Sequence, residues 1–259
     1  MENGRKKINV MLTGYNGKLG RAIIEAAEKS ELFSVIAGID INPAPINLAF
    51  PVFMRPSDFN GEIDVIIDSS HHSIIDSLLE YAKKISVPVV IATTGHNAEE
   101  LGLINEAAKE IAIFKSANMS VGVNLIIELA KKTAALLQGE FDIEIVEKHH
   151  NQKLDAPSGT ALMIADGISS VLEQSPEYIY NRQPVKKVRG GNEIGIHAVR
   201  GGTIIGDHEI IFAGNNEVIT VSHSAQSREM FANGALSATK FICGKPAGLY
   251  DMKSLIGEI

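Results

Sequence analysis

A chain of 259 residues with 45% apolar and 21% charged side chains can bury one large core or two ordinary ones, and its balance excludes a disordered or fibrous protein. A formal charge of -7 with no long basic run excludes nucleic acid as the expected partner, so an anion has to be bound locally, by placed cations or backbone amides. One cysteine, Cys243, excludes an internal disulfide and reads as a small core residue. The N-terminal MENGRKKINVMLTG has a basic cluster but too short an apolar run for a signal peptide, and no stretch approaches the roughly 18 apolar residues of a membrane span, so a soluble, cytoplasmic chain is expected.

In chain order, the first half alternates short apolar runs with helical patterns. Ile8–Gly14 (INVMLTG) predicts a strand and KLGRAIIEAAEKS an amphipathic helix. Phe33–Asp40 (FSVIAGID) and Asp64–Ser70 (DVIIDSS) predict two more strands, followed by the helix SIIDSLLEYAKKI. Pro88–Gly95 (PVVIATTG) predicts a fourth strand, AEELGLINEAAKE a third helix and IAIFKSAN a fifth strand. Strands that are apolar throughout and alternate with helices imply a parallel sheet covered on both faces.

After Asn118 the texture changes. VGVNLIIELAKKTAALL predicts a longer helix. FDIEIVEKH, IGIHAVR and EVITVSH alternate apolar and polar residues at period two, with HEIIFAG between the last two. Such alternation marks a sheet with one uncovered face, antiparallel or mixed. The expected fold is α/β: a Rossmann-type parallel-sheet dinucleotide-binding domain of residues 1–120, then an α+β domain with a mixed open sheet over 121–229. REMFANGALSATKFICG returns to a helical pattern, and periodicity does not say which unit it joins.

The first strand runs into GYNGKLG, with glycines at 14, 17 and 20, and then a helix. Glycine permits the tight turn, the close approach of a pyrophosphate and tight helix–strand packing, and the helix start supplies amides and a positive dipole end. Asp40 ends the next strand about twenty residues on, where the fingerprint expects a carboxylate for the ribose hydroxyls. A carboxylate there repels a 2'-phosphate, and Ile41 rather than arginine follows, which predicts NADH over NADPH. Ala92-Thr93-Thr94-Gly95 and Ser116-Ala117-Asn118-Met119 end two further strands and offer small residues and amides beside a nicotinamide.

Glu147–Leu162 reads EKHHNQKLDAPSGTAL. A strand runs out into His149 and His150, Pro157 stops the backbone, and Ser158, Gly159 and Thr160 open a helix whose amides form an anion site. Lys153 adds positive charge, and a placed histidine suits proton donation near neutrality. The His-His pair lacks a third ligand at a familiar spacing, so no metal is expected. Lys148 reads as a surface charge and Asp155 as a residue that fixes the turn. Glu144 and Glu147 either face solvent or orient a histidine.

EKHHNQKLDAPSGTA resembles the signature of the 4-hydroxy-tetrahydrodipicolinate reductase (dihydrodipicolinate reductase) family. The resemblance extends through GYNGKLG, the Thr-Thr-Gly at 93–95, SANMSVGVN at 116–124, HAVRGGTIIGDHEIIF at 197–212 and SREMFANGALSATKFICGKPAGLYDM at 227–252. It implies reduction of a small cyclic dicarboxylate by NADH or NADPH, with loss of water, on the diaminopimelate route to lysine. It also implies that residues 230–259 return to the dinucleotide-binding domain, and that 121–229 bind substrate and build a homotetramer.

By motif position, His149 is the proton donor or acceptor and Lys153 its catalytic partner. His150, Ser158, Gly159, Thr160 and Thr94 meet the substrate. Gly14, Tyr15, Asn16, Gly17, Lys18, Leu19, Asp40, Ala92, Thr93, Thr94, Ser116, Ala117, Asn118, Met119, Arg228 and Phe231 line the cofactor. Ala92 stands where the family often has glycine, Met119 where it often has an aromatic ring, and Ser70-His71-His72 where it often has Thr-Arg-Pro. Other two-domain dehydrogenases of a small carboxylated substrate, and a non-catalytic dinucleotide sensor, share the glycine loop. A semialdehyde enzyme of that plan would need a cysteine nucleophile, and Cys243, late in an apolar helix, is a poor candidate; a sensor need not keep His149, Lys153 and the Ser-Gly-Thr turn together. Cofactor and substrate motifs lie on different halves, so domain closure is expected.

Overall fold

A computed structural model describes residues 7–42, 48–184 and 186–257; the basic residues Arg5 and Lys6 lie outside them. The first half contains β1 (Ile8–Thr13), α1 (Lys18–Glu28), β2 (Phe33–Ile39), β3 (Val52–Phe53), β4 (Val65–Asp68), α2 (Ile75–Ile85), β5 (Val89–Ile91), α3 (Ala98–Ala107) and β6 (Ala112–Lys115). Then come α4 (Val121–Leu137), β7 (Asp142–His149), α5 (Gly159–Ser169), β8 (Glu177–Ile179), β9 (Glu193–Arg200), β10 (Gly206–Ala213) and β11 (Val218–Ala225). The chain ends with α6 (Glu229–Ile242), β12 (Gly248–Tyr250) and α7 (Met252–Ile256). No helix of the described residues is long and apolar enough to cross a membrane.

The chain divides into two compact units, Met1–Val121 with Glu229–Ile259, and Gly122–Arg228. In the first, seven parallel strands run in the order β12-β6-β5-β4-β1-β2-β3. Successive residues of one strand point to opposite faces, and both faces are covered. Val10, Leu12, Val65, Ile67, Val90 and Phe114 pack towards α1, α6 and α7. Met11, Ile66, Val89, Ile91 and Ile113 pack towards α2 and α3. Burying each such side chain contributes roughly 1.5–3 kcal/mol relative to leaving it in water. This is a Rossmann-type doubly wound sheet, and β1 and β4 flank the point where the strand order reverses.

The second unit has a mixed sheet, β11-β10-β7-β9-β8, antiparallel across β11-β10-β7 and parallel across β7-β9-β8. Alternate residues of β7, β9 and β10 (Ile143, Ile145, Ile194, Ile196, Ile210, Phe212) form a core with α4 and α5. Glu144, Val146, Lys148, Glu209 and Ile211 alternate with them and stand on the other face.

The predicted strands are present, and the largest shortfalls are at the ends of β5 and β6. β5 stops at Ile91, because beyond Asp68 the neighbouring chain leaves the ladder, and the Asp68 carbonyl instead accepts the Ala92 amide and the Thr93 hydroxyl. β6 stops at Lys115, where the Ser116 hydroxyl takes over the backbone by donating to the Asn118 carbonyl (2.7 Å) and accepting its amide (3.3 Å). β3, β8 and β12 are two or three residues long and carry no alternation to read. The C-terminal segment joins the first unit: β12 pairs with β6, and the apolar face of α6 packs beside α1. Gly234 lets α6 lie close against the turn after β6, since a Cβ there would lie 1.6 Å from the Met119 carbonyl oxygen.

Candidate active site

The carboxyl ends of β1, β2, β5 and β6 carry the motifs read as cofactor contacts. Gly14 has a φ of +71°, and a Cβ on it would lie 2.4 Å from the Ser69 carbonyl oxygen. A Cβ on Gly20 would lie 2.3 Å from the Gly14 carbonyl oxygen. Only glycine fits either position, and the result is a tight strand–helix turn over the start of α1. No side chain caps that helix, so its first amides remain for a phosphate. This cradle fits the pyrophosphate of a dinucleotide.

Around it, Asn16 holds Arg21 through its carbonyl and side-chain oxygens, and Lys18 and Leu19 open α1. Asp40 follows β2, with its carboxylate accepting the Asn42 amide at 2.9 Å. Thr93 is buried and Thr94 exposed, while Ser116, Ala117 and Asn118 form the turn after β6. Two residues change character. The Tyr15 side chain is fully buried, edge-on to Phe50, and Met119 is 3% exposed within the core, so both side chains are committed to packing. Phe231 packs against the same core from α6, and Arg228 is exposed just ahead of that helix. His71 and His72 are engaged locally. The Ser73 amide donates to the His71 ring, and His72 meets Glu100 at 2.7 Å.

In the second unit, His149 ends β7 and is 8% exposed. Its Nδ1 lies 2.6 Å from Oε2 of Glu147, which is completely buried. Both carboxylate oxygens of Glu147 also meet Arg200 at 2.7 Å, and Oε1 accepts the Ser158 amide at 3.0 Å. Burial alone would raise the Glu147 pKa; the Arg200 guanidinium, His149 and the Ser158 amide outweigh it and hold the carboxyl below its ordinary range. His208, on β10, has its ring 5.3 Å from that of His149 and its Nε2 3.0 Å from the Ser158 hydroxyl. Burial, reinforced by the neighbouring His149, pushes His208 down to about 4, so it stays neutral.

The turn that follows β7 carries the remaining predicted residues. Lys153 donates to the Asp155 carboxylate at 2.8 Å, which with the Gly159 amide holds Asp155 below the usual carboxylate range. The Ser158 hydroxyl accepts the Ala161 amide at 3.1 Å as the cap of α5 and is 2% exposed. Ser158 is therefore committed to the fold, and the exposed contribution of this helix start is the backbone at Gly159. His150 is half-buried, and its carbonyl accepts the Lys153 amide at 3.2 Å. Among the described residues no three His, Cys, Asp or Glu side chains are grouped to hold a metal ion. Cys243 is half-buried against the first unit's core, and burial pushes its thiol up to about 11, which keeps it an unreactive packing residue.

Sequence reasoning did not find Arg200, Gly206 or His208. All three lie within HAVRGGTIIGDHEIIF, but nothing local marks them. Sheet register makes them neighbours: Arg200 stands opposite His149 across β9, and His208 opposite Glu147 across β10. Of the two acids left open, neither faces solvent alone: Glu147 meets His149. Glu144 meets His197 at 2.7 Å together with Arg182 and Arg189.

Residues 8–119 match the family model described as dihydrodipicolinate reductase, N-terminus, and residues 122–256 the one described as dihydrodipicolinate reductase, C-terminus. The 4-hydroxy-tetrahydrodipicolinate reductase of Caldanaerobacter subterraneus subsp. tengcongensis is 55% identical over 249 residues, covering 96% of this chain and 98% of that protein. The corresponding enzyme of Clostridium tetani is 49% identical over 251 residues, 97% of this chain and 98% of its own. A solved structure, the dipicolinate-bound dihydrodipicolinate reductase of Paenisporosarcina sp. TG-14, superposes with a TM-score of 0.79 at 25% identity, covering 95% of this chain and 98% of that one. Matched in both halves and closely similar to these enzymes end to end, the chain belongs to the dihydrodipicolinate reductase family.

Proposed function

We propose that this chain reduces 4-hydroxy-tetrahydrodipicolinate to tetrahydrodipicolinate, with loss of water, and that the site residues act as follows. The observation that carries the reading is a buried, oriented histidine, His149, one turn ahead of a lysine and a helix start suited to a carboxylate. The glycine cradle of β1 and α1 holds the dinucleotide, with Asp40 on the ribose and Ala92–Thr94 and Ser116–Asn118 beside the nicotinamide. When bound, the reduced dinucleotide supplies the hydride. Hydride addition to a conjugated cyclic imine leaves an enamine-like anion whose adjacent ring carbon must take a proton. His149 delivers that proton from Nε2. Lys153 exchanges Asp155 for a substrate carboxylate, which His150 and the amides of Gly159 and Thr160 also hold. An acidic protein thus assembles a local positive pocket for a dianion. In a coupled assay with the enzyme that forms the substrate, loss of reduced-dinucleotide absorbance is expected; no oxidation by folded protein would overturn the reading.

Residues 1–120 and 230–259 are assigned to the dinucleotide, and 121–229 to substrate and subunit contacts. We place the enzyme in the cytoplasm as a homotetramer. Support for assembly comes from the uncovered sheet face of the second unit and the exposed valines at its margins, Val199 and Val218, 45% and 62% exposed. Light scattering is expected to give four times the 27.8 kDa chain mass, and a monomer would refute the assembly. Asp40 followed by the exposed Ile41 supports NADH as the preferred cofactor. The expected result is a higher kcat/KM with NADH than with NADPH, and a strong NADPH preference would refute the role given to Asp40.

A further inference from the structure

A buried carboxylate is costly unless every lone pair is used. Glu147 meets that condition: Oε2 serves His149 and Arg200, and Oε1 serves Arg200 and Ser158. An ionised carboxylate only accepts, so the ring of His149 must carry hydrogen on Nδ1 whether it is neutral or charged. The atom left to exchange a proton is Nε2. Gly206 keeps that side clear, since a Cβ there would lie 2.9 Å from Nε2. The geometry points to Glu147 as the positioning residue of the reaction, which with Arg200 fixes the His149 tautomer and ties the proton donor to the substrate-binding turn at Ser158. Arg200 has a distinct part. Its bidentate grip offsets the carboxylate's charge, so Glu147 orients the imidazole without holding its proton too tightly for transfer.

The inference rests on His149 being the proton donor, and the test keeps the two separable. The charged or titratable groups around the imidazole are Glu147 on its own strand, Arg200 on β9 and His208 on β10. The variants are Glu147→Gln, Glu147→Asp and the double variant Glu147→Gln/Arg200→Gln, which leaves no unpaired buried charge if the single one fails to fold. Each is assayed as full-length protein with reduced dinucleotide and substrate. A kcat loss of about 10²-fold is expected for the glutamine variants, with partial recovery in Glu147→Asp.

A residue that merely propped up the Ser158 turn would raise KM instead. The positioning role predicts that kcat falls more than KM rises, and that the alkaline limb of the kcat profile moves to lower pH. In protein labelled with 15N-histidine, the wild type is expected to show His149 as the Nδ1–H tautomer and the variants a mixture. Wild-type kcat, pH profile and tautomer in a folded variant would overturn the inference. Full activity in His149→Gln would instead sink the proton-donor reading, and the tautomer measurement would still decide the role of Glu147.

Discussion

His149→Gln is expected to lower kcat by about 10²–10³-fold while the protein stays folded and keeps its affinity for reduced dinucleotide. General-acid delivery is worth roughly 10²–10⁴-fold, and glutamine removes the transferable proton. The fold should survive, because His149 ends β7 and its loss leaves Glu147 still paired to Arg200 and Ser158. Lys153→Met is expected to behave differently. Its ammonium sits 2.8 Å from the Asp155 carboxylate and is the group proposed to meet a substrate carboxylate, so KM should rise as kcat falls. Loss of one such charge-stabilising donor costs on the order of 10²-fold or more in rate. Steady-state kinetics on both variants, with dinucleotide binding followed by fluorescence, separates the cases. Near-normal turnover in both would refute the assigned chemistry.

Arg200→Ala is expected to destabilise the second unit by about 3 kcal/mol, the lower end of the range for breaking a buried pair, because the Arg200 side chain keeps 19% of its exposure. What remains is Glu147, with no exposure and only His149 and the Ser158 amide as partners. The sign with pH follows from burial and pairing. In the wild type the Glu147 carboxyl is held below its ordinary value of about 4.5, so its stabilisation is complete above that value and is lost as pH falls through the lower folded one. Without Arg200, desolvation is opposed by less and favours the protonated form. The deficit of Arg200→Ala should therefore be largest near neutrality and shrink towards acid pH. Arg200→Lys should recover only part of it, since an ammonium cannot serve both carboxylate oxygens with a planar fork. Urea unfolding at neutral and mildly acidic pH checks this. A deficit that is pH-independent, or absent, would show that Arg200 does not neutralise Glu147.

What the sequence determines by itself here is whatever short-range chemistry decides. The helix at 121–137 is legible because one apolar stripe and the absence of proline fix it locally, and Ser158 is legible as a cap for the same reason. The three glycines and Asp40 are legible because their spacing along one strand–turn–helix–strand segment is itself the geometry that binds a dinucleotide. The EKHHNQKLDAPSGTA run places His149, Lys153 and the anion turn together because they are neighbours in the chain.

Tertiary structure decided the rest. Tyr15 and Met119 stand beside the right glycines and loops, yet their side chains turn into the core, and only packing sets that direction. β12 closes the far edge of the first sheet through pairing with β6, which no local pattern encodes. Arg200 is 53 residues from Glu147 and becomes its partner because β9 lies parallel to β7 in one particular register. A shift of one residue would send that guanidinium to the opposite face and leave the carboxylate buried alone. Candidate reacting groups can be read from adjacency along the chain, but what orients and neutralises them depends on strand register, which forms only when distant segments pair.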